Sequence, residues 1–446
     1  MPRKIVIIGA NAAGVDAAVA ARKTDRTAQI TLITRENKGA YSRCGIPYVL
    51  GGQIPSFDDL LTHPSSYYRM MKFDLRLETT ATKINTEAKK VEIQDKSRKK
   101  EVLDYDRLIL ATGAYPFVPP IKGKEKKGVF VVRTIEDGHR IDEALKTAKS
   151  AVVVGAGVIG LEVASAFVER GVRTTVVEFL PYVLPAMLDE DMADKVQEKL
   201  EEKGLRIIVA HSADAILGAD KVTGVSVAEE TIQADLVVVA TGVRADTGLA
   251  QKAGITIGER RGIRVNSRME TSVKGVYAVG DCTESVNMIT QQPALTQLGT
   301  VAVRHGKVAG INAAGGYAIF PGVQGSAVTK LFDFEVGATG LNEFFAGRAG
   351  MQTAAGTIPS KTKADYYPGA LPIRVKIVVE KESERVIGGQ IIGGEAVTQR
   401  VNALSFAIQK HMTVRELAKA DTAYAPPVNE TWEPMILAAE MAIRKL

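Results

Sequence analysis

Val152-Val153-Val154-Gly155-Ala156-Gly157-Val158-Ile159-Gly160-Leu161-Glu162 is the stretch that decides the fold. A β-branched run reads as a buried strand, the three glycines as a tight turn, and the apolar residues after them as the start of a helix. Gly155 permits the turn, Gly157 lets a pyrophosphate approach the helix N-terminus, and Gly160 lets the helix lie close on the strand. The next apolar strand ends at Glu178, placed to accept hydrogen bonds from an adenosine ribose and to oppose a 2′-phosphate. Strand before, helix after and acid in place turn a common glycine pattern into a dinucleotide fingerprint. NADH is the expected ligand, with NADPH the alternative, and Gly155, Gly157, Ile159, Gly160, Glu178 and Gly242 are expected around it.

The pattern occurs a second time, from Lys4 to Glu36, with Gly9-Ala10-Asn11-Ala12-Ala13-Gly14 as its turn. Asn11 replaces the middle glycine and Glu36 lies two residues past the usual acid, so this copy takes a different ligand. Gly280-Asp281 supplies the reason: a carboxylate at a strand end suits the ribityl hydroxyls of a flavin, hence FAD. Each copy is followed by a strand ending in Ala-Thr-Gly, at Ala111-Thr112-Gly113 and at Ala240-Thr241-Gly242. The reading is α/β, with two Rossmann-like dinucleotide-binding domains. The FAD domain is discontinuous, over residues 1–115 and 247–325, and the NAD domain, 116–246, is inserted in it. Residues 326–446 change to strands followed by helices, an α+β third domain.

Composition agrees with this and narrows the partners. At 446 residues, 46% apolar and 24% charged, the chain is ordinary for a globular protein of two or three domains. A net charge of +6, with neither a basic tail nor a long like-charge block, gives no reason to expect nucleic acid. No apolar run suits a signal peptide or a membrane span, and two cysteines exclude a disulfide scaffold, so a cytoplasmic protein with reduced thiols is expected. The histidines His63, His139, His211 and His411 lack metal-ligand spacing.

Cys44 lies in Tyr41-Ser42-Arg43-Cys44-Gly45-Ile46-Pro47-Tyr48, directly after the first dinucleotide unit, and the other cysteine, Cys282, is far along the chain. Redox work at Cys44 therefore needs an outside sulfur or an oxygenated sulfur on Cys44 itself. Arg43 offers positive charge, and Gly45 to Tyr48 open a helix whose N-terminus favours a thiolate.

Together the two glycine turns, both Ala-Thr-Gly strands, Gly280-Asp281, Cys44 with Pro47-Tyr48, Asp365-Tyr366-Tyr367-Pro368-Gly369 and Ala423-Tyr424-Ala425-Pro426-Pro427 give a resemblance over essentially the whole chain. The chain resembles the flavoprotein disulfide reductases, in their single-cysteine branch of coenzyme A disulfide reductase, NADH-dependent persulfide reductase and NADH oxidase and peroxidase. The resemblance implies a homodimer in which the C-terminal domain dimerises and C-terminal tyrosines reach the partner's Cys44; Tyr424 and Tyr367 are the expected pair. It implies coenzyme A near Arg22 and Lys72, with Arg304 and His305 as further ligand-facing residues, although the branch's serine four residues before the cysteine is Ala40 here. Oxidases and peroxidases of the branch carry a histidine where this chain has Ala12, so a sulfur acceptor is favoured over oxygen. The expected activity is NADH-driven reduction of coenzyme A disulfide, persulfide or polysulfide, against the alternatives of a water- or peroxide-forming oxidase and an electron carrier to a protein partner.

Overall fold

The apolar run Ile5-Val6-Ile7-Ile8 forms a central strand, Lys4–Ile8, paired in parallel with Gln29–Ile33 on one side and Arg107–Leu110 on the other. With both faces covered, all four residues are buried. The sheet extends to Phe73–Arg76 at one edge and Val276–Ala278 at the other, giving five parallel strands. The computed structural model describes residues 1–446, and this sheet belongs to the first of two units, composed of Met1–Ile46, Ser56–Pro116 and Val243–Val323.

Two helices of that unit, Ala12–Thr24 and Gly299–Ala313, approach at backbone distance. A Cβ on Gly306 would stand 2.3 Å from the Ala13 carbonyl oxygen, and one on Gly310 would stand 2.1 Å from that of Ala17. Only residues without side chains allow this contact, which joins segments from opposite ends of the unit's sequence.

The second unit comprises Pro47–Pro55, Phe117–Gly242 and Gln324–Leu446. Its parallel sheet runs Arg206–Ile208, Arg173–Val177, Ser150–Val154, Leu236–Val239, Val129–Phe130. The C-terminal part is an antiparallel five-stranded sheet, from Ala327–Leu331 through Phe334–Gly340, Val386–Gly393 and Pro372–Glu380 to Thr353–Lys361. Helices Val397–Gln409 and Pro434–Ile443 follow.

The sequence placed boundaries after residues 115, 246 and 325; the chain crosses between units at Pro116/Phe117, Gly242/Val243 and Val323/Gln324. The inserted and C-terminal segments share a unit because charged and polar side chains join them. Lys376, in the C-terminal sheet, holds Asp191 and Glu343 at 2.7 Å each and Asp189 at 3.0 Å. The Gln390 amide accepts from the Asp189 N–H at 2.9 Å and donates to its carboxylate at 2.7 Å. The excursion over Pro47–Pro55 was not anticipated. It lies along the helix Val158–Glu169: Gln53 donates to Glu169, and Arg170, just past the helix end, donates to the Leu50 carbonyl.

Candidate active site

In the first unit, Gly9 adopts φ +112°, and a Cβ there would stand 2.0 Å from the Ala111 carbonyl oxygen. One on Gly14 would stand 1.9 Å from the Gly9 oxygen, so strand, turn and helix meet without side chains between them. Asn11 caps the helix, its Oδ1 accepting from the Ala12 N–H at 2.7 Å, while its Nδ2 is buried without a partner. Thr112 donates to the Asp246 carbonyl, and the Gly113 carbonyl accepts from the Asp246 N–H. Gly280, at φ +75°, lies with its Cβ direction 3.0 Å from the Ala13 side chain, which brings the neighbouring Asp281 to the start of the same helix. The structure therefore gathers Gly9, Asn11, Ala12, Gly14, Ala111 and Asp281 around one helix N-terminus.

The second unit repeats this construction. Gly155 has φ +110° with a Cβ direction 2.6 Å from the Ala240 oxygen, and Gly160 meets the Gly155 oxygen at 1.9 Å. At Gly157, the helix cap, a Cβ would meet nothing within 4 Å, so the turn faces open space. Gly242 faces equally open space and Ile159 is exposed. Glu178 is buried; its carboxylate accepts from the Ala156 N–H at 2.6 Å and the Leu180 N–H at 2.8 Å. The acid thus sets the shape of the turn.

Cys44 is exposed, in the single turn Arg43–Gly45 that leads into the five-residue helix Ile46–Leu50, whereas Cys282 is fully buried. No disulfide joins them. The charge of Arg43, expected to serve Cys44, is paired with Glu36, and its guanidinium lies 5.1 Å above the Tyr41 ring. Tyr41 also donates to Glu36, at 2.5 Å. A neutral pair replaces the lone cation inferred from the sequence, because Glu36 folds back onto the cysteine segment.

Arg22 and Lys72 are brought together. The Arg22 guanidinium donates to the carbonyls of Met71 (3.0 Å), Arg26 (2.9 Å), Ala28 (2.7 Å) and Lys72 (3.0 Å), bracing the end of its helix. Lys72 is exposed, as is Lys23, which sequence reasoning passed over. In the C-terminal part the Tyr424 hydroxyl bonds that of Tyr366 at 2.8 Å. All three tyrosines are exposed, and the Tyr424 bond raises the Tyr366 pKa.

Residues 3–306 match the family model described as pyridine nucleotide-disulphide oxidoreductase, and residues 326–436 match its dimerisation domain. The chain belongs to the pyridine nucleotide-disulphide oxidoreductases. It is 44% identical over 446 residues to a protein of Methanocaldococcus jannaschii named NADH oxidase, with 99% of each chain covered. It is 33% identical over 443 residues to the NAD(P)H coenzyme A polysulfide/persulfide reductase of Pyrococcus horikoshii, covering 99% of this chain and 98% of the other. The solved NAD-dependent persulfide reductase of A. fulgidus superposes with a TM-score of 0.96 at 39% identity, covering 99% of this chain and 83% of that one.

As a member of this family the chain is an NAD(P)H flavoprotein oxidoreductase, and the family implies FAD. The residues of the first unit fit that group: the buried Asn11 Nδ2 lacks an acceptor, and the glycine turn opens at a helix N-terminus. No helix of this family member is long and apolar enough to cross a membrane.

Sequence reasoning noted Glu162 without giving it a role. In the structure its Oε1 accepts from the hydroxyls of Thr329 at 2.7 Å and Tyr48 at 3.4 Å. Burial raises the Glu162 pKa against the opposing effect of those two bonds, and burial followed by the Glu162 charge raises that of Tyr48. One signal was available: Glu162 is the single charge in the apolar run Val158 to Phe167.

Proposed function

We propose that the chain is a homodimeric, FAD-containing, NADH-dependent reductase of sulfur–sulfur bonds, acting on coenzyme A disulfide, coenzyme A persulfide or polysulfide through Cys44. The observation that carries this reading is one exposed cysteine after the flavin turn with the other cysteine fully buried, which removes an internal disulfide and leaves Cys44 to work with an external sulfur or with an oxygenated sulfur of its own. The names of the Pyrococcus and A. fulgidus relatives support the sulfur acceptor.

The reaction balances as NADH + H⁺ + coenzyme A disulfide giving NAD⁺ and two coenzyme A thiols; a persulfide gives one thiol and hydrogen sulfide. Gly9, Asn11, Ala12, Gly14, Glu36, Ala111, Thr112, Gly113 and Asp281 would hold FAD, which when bound supplies two-electron transfer between the nicotinamide and sulfur. Gly155, Gly157, Gly160 and Glu178 bind NADH. The Cys44 thiolate attacks the sulfur–sulfur bond, forms a mixed disulfide and expels one thiolate; two electrons then cleave that disulfide and restore Cys44. The Tyr366–Tyr424 pair of the other subunit donates a hydrogen bond to the departing sulfur. Lys72 and Lys23 supply cations for the coenzyme's phosphates, with Arg22 bracing the backbone behind Lys72.

Cys44→Ser tests the reading. Flavin bleaching by NADH in stopped flow should persist while turnover with coenzyme A disulfide or persulfide disappears. Surviving sulfur turnover would show that Cys44 is not the redox thiol. A second reading, an oxygen-reducing NADH oxidase, is favoured by the name of the Methanocaldococcus relative. Comparing NADH consumption with air alone and with coenzyme A disulfide under argon separates the two.

A further inference from the structure

His305 stands on the helix Gly299–Ala313, and the sequence reading turned it toward the substrate. It is instead 1% exposed, with its ring edge-on to Phe320 at 4.4 Å. The Gly280 N–H points at its Nδ1 across 3.4 Å. An Nδ1 that accepts carries no proton, so the proton of the neutral ring lies on Nε2, and Nε2 is buried with no partner. Burial, with the charge of Arg304 adding to it, lowers the pKa to about 3, so the ring stays neutral at working pH. An apolar side chain would fill the place beside Phe320 without leaving a buried N–H unbonded; the histidine is explained by what Nδ1 does.

That work lies at the flavin carboxylate. Gly280 occupies the left-handed region and is wedged against Ala13 and Ala302, so its amide direction sets the direction of the next residue, Asp281. On the other side of Asp281, Gln297 donates to its carbonyl at 3.1 Å. Two side chains therefore hold the backbone around Asp281, His305 at the N–H of the preceding Gly280 and Gln297 at the Asp281 carbonyl.

We propose that His305 is a positioning residue for FAD: through Nδ1 it fixes the Gly280 amide and aims the Asp281 carboxylate at the ribityl chain. The proposal rests on the reading that Asp281 holds the flavin. Preorganisation of this kind acts on affinity more than on folding, because without the acceptor the turn must be ordered when the ligand arrives.

The test compares His305→Leu with His305→Asn, whose Oδ1 stands close to the position of Nδ1. FAD release on dilution of the purified holoprotein gives the dissociation constant, and thermal unfolding of the deflavinated protein gives its stability. His305→Leu should weaken FAD about tenfold with little change in unfolding midpoint, and His305→Asn should recover most of the loss. Wild-type affinity in His305→Leu, or equal losses in both variants, would overturn the proposal. If His305→Leu does not fold, ¹⁵N-histidine spectra of the wild-type protein decide, since an Nδ1 that carries a proton at pH 7 refutes the geometry. Asp281→Ala is the control: unchanged FAD binding there would overturn the carboxylate reading and the positioning role with it, whereas FAD loss beside an indifferent His305→Leu would overturn the positioning role alone.

Discussion

Glu178→Gln is the most informative single substitution at the pyridine nucleotide turn. The carboxylate serves two main-chain donors, Ala156 N–H at 2.6 Å and Leu180 N–H at 2.8 Å, one on each oxygen. A glutamine has one oxygen, so one of these N–H groups would face an amide NH₂. Because Glu178 is 8% exposed, water replaces that acceptor poorly. An unsatisfied buried donor costs about 1–3 kcal/mol, and 1.4 kcal/mol is about a factor of ten in binding. If the cost falls on the turn that receives the pyrophosphate, the KM for NADH should rise about ten- to a hundredfold. The change should fall less heavily on NADPH, because the substitution also removes the charge that opposes a 2′-phosphate. Steady-state kcat/KM for both cofactors, with thermal unfolding as a control, gives the answer. An unchanged KM for NADH would refute the argument that the carboxylate shapes the turn, and a wild-type preference for NADPH would refute the ribose reading.

Tyr424→Phe and Tyr366→Phe should each slow reaction of the reduced enzyme with sulfur substrate about ten- to a hundredfold, and Tyr367→Phe much less, with NADH-driven flavin reduction unchanged in stopped flow. Mixed Cys44→Ser and Tyr424→Phe dimers should regain activity if the tyrosine works across subunits; no recovery after verified exchange would place the site in one chain. Lys376→Met should cost about 3 kcal/mol in urea unfolding, because it leaves three carboxylates facing one another around a side chain that is 5% exposed. Burial opposes the Lys376 charge, but Asp191, Glu343 and Asp189 outweigh it and raise the pKa. That stability is full below the unfolded lysine value of about 10.4 and is lost as pH climbs through the higher folded value, so the difference between variant and wild type should stay level from about pH 6 to 10. At acid pH the buried His305 matters: an unfolded ring takes a proton below 6.5 and the folded one only near 3. Stability should therefore fall with pH across that window by up to about 1.4 kcal/mol per unit, and His305→Asn should flatten the slope.

Both dinucleotide folds were legible because a glycine is compulsory where a Cβ would strike backbone: the contacts at Gly14 and Gly160 have few alternatives. Glu178 stood out as an acid at a fixed offset from the turn, but the two main-chain N–H groups it accepts from did not. Side chains whose partners come from distant sequence were not legible. Nothing near Arg22 marks the carbonyls of Met71 and Lys72, some fifty residues on. The hydrogen bond of Tyr424 to Tyr366 depends on the conformation of an exposed loop, which no periodicity encodes. The excursion of Pro47–Pro55 was invisible because its anchors, Glu162, Glu169 and Arg170, lie more than a hundred residues further along the chain.

The backbone contact of Gly306 and Gly310 with the helix Ala12–Thr24 also sets a timetable. The first helix emerges early in synthesis, but the helix it fits against ends at Ala313. At about 5–20 residues per second, roughly 15–60 s separate the two on the ribosome. Throughout that interval the nascent chain holds a glycine turn and the cysteine that follows it, without Gly280 and the helix Gly299–Ala313 that pack on the helix after that turn. The parallel sheet of the second unit, whose five strands all lie between Val129 and Val239, has a much shorter wait. Flavin capture is thus a late event in the life of the polypeptide, and Cys44 spends that time exposed to whatever oxidants surround the ribosome.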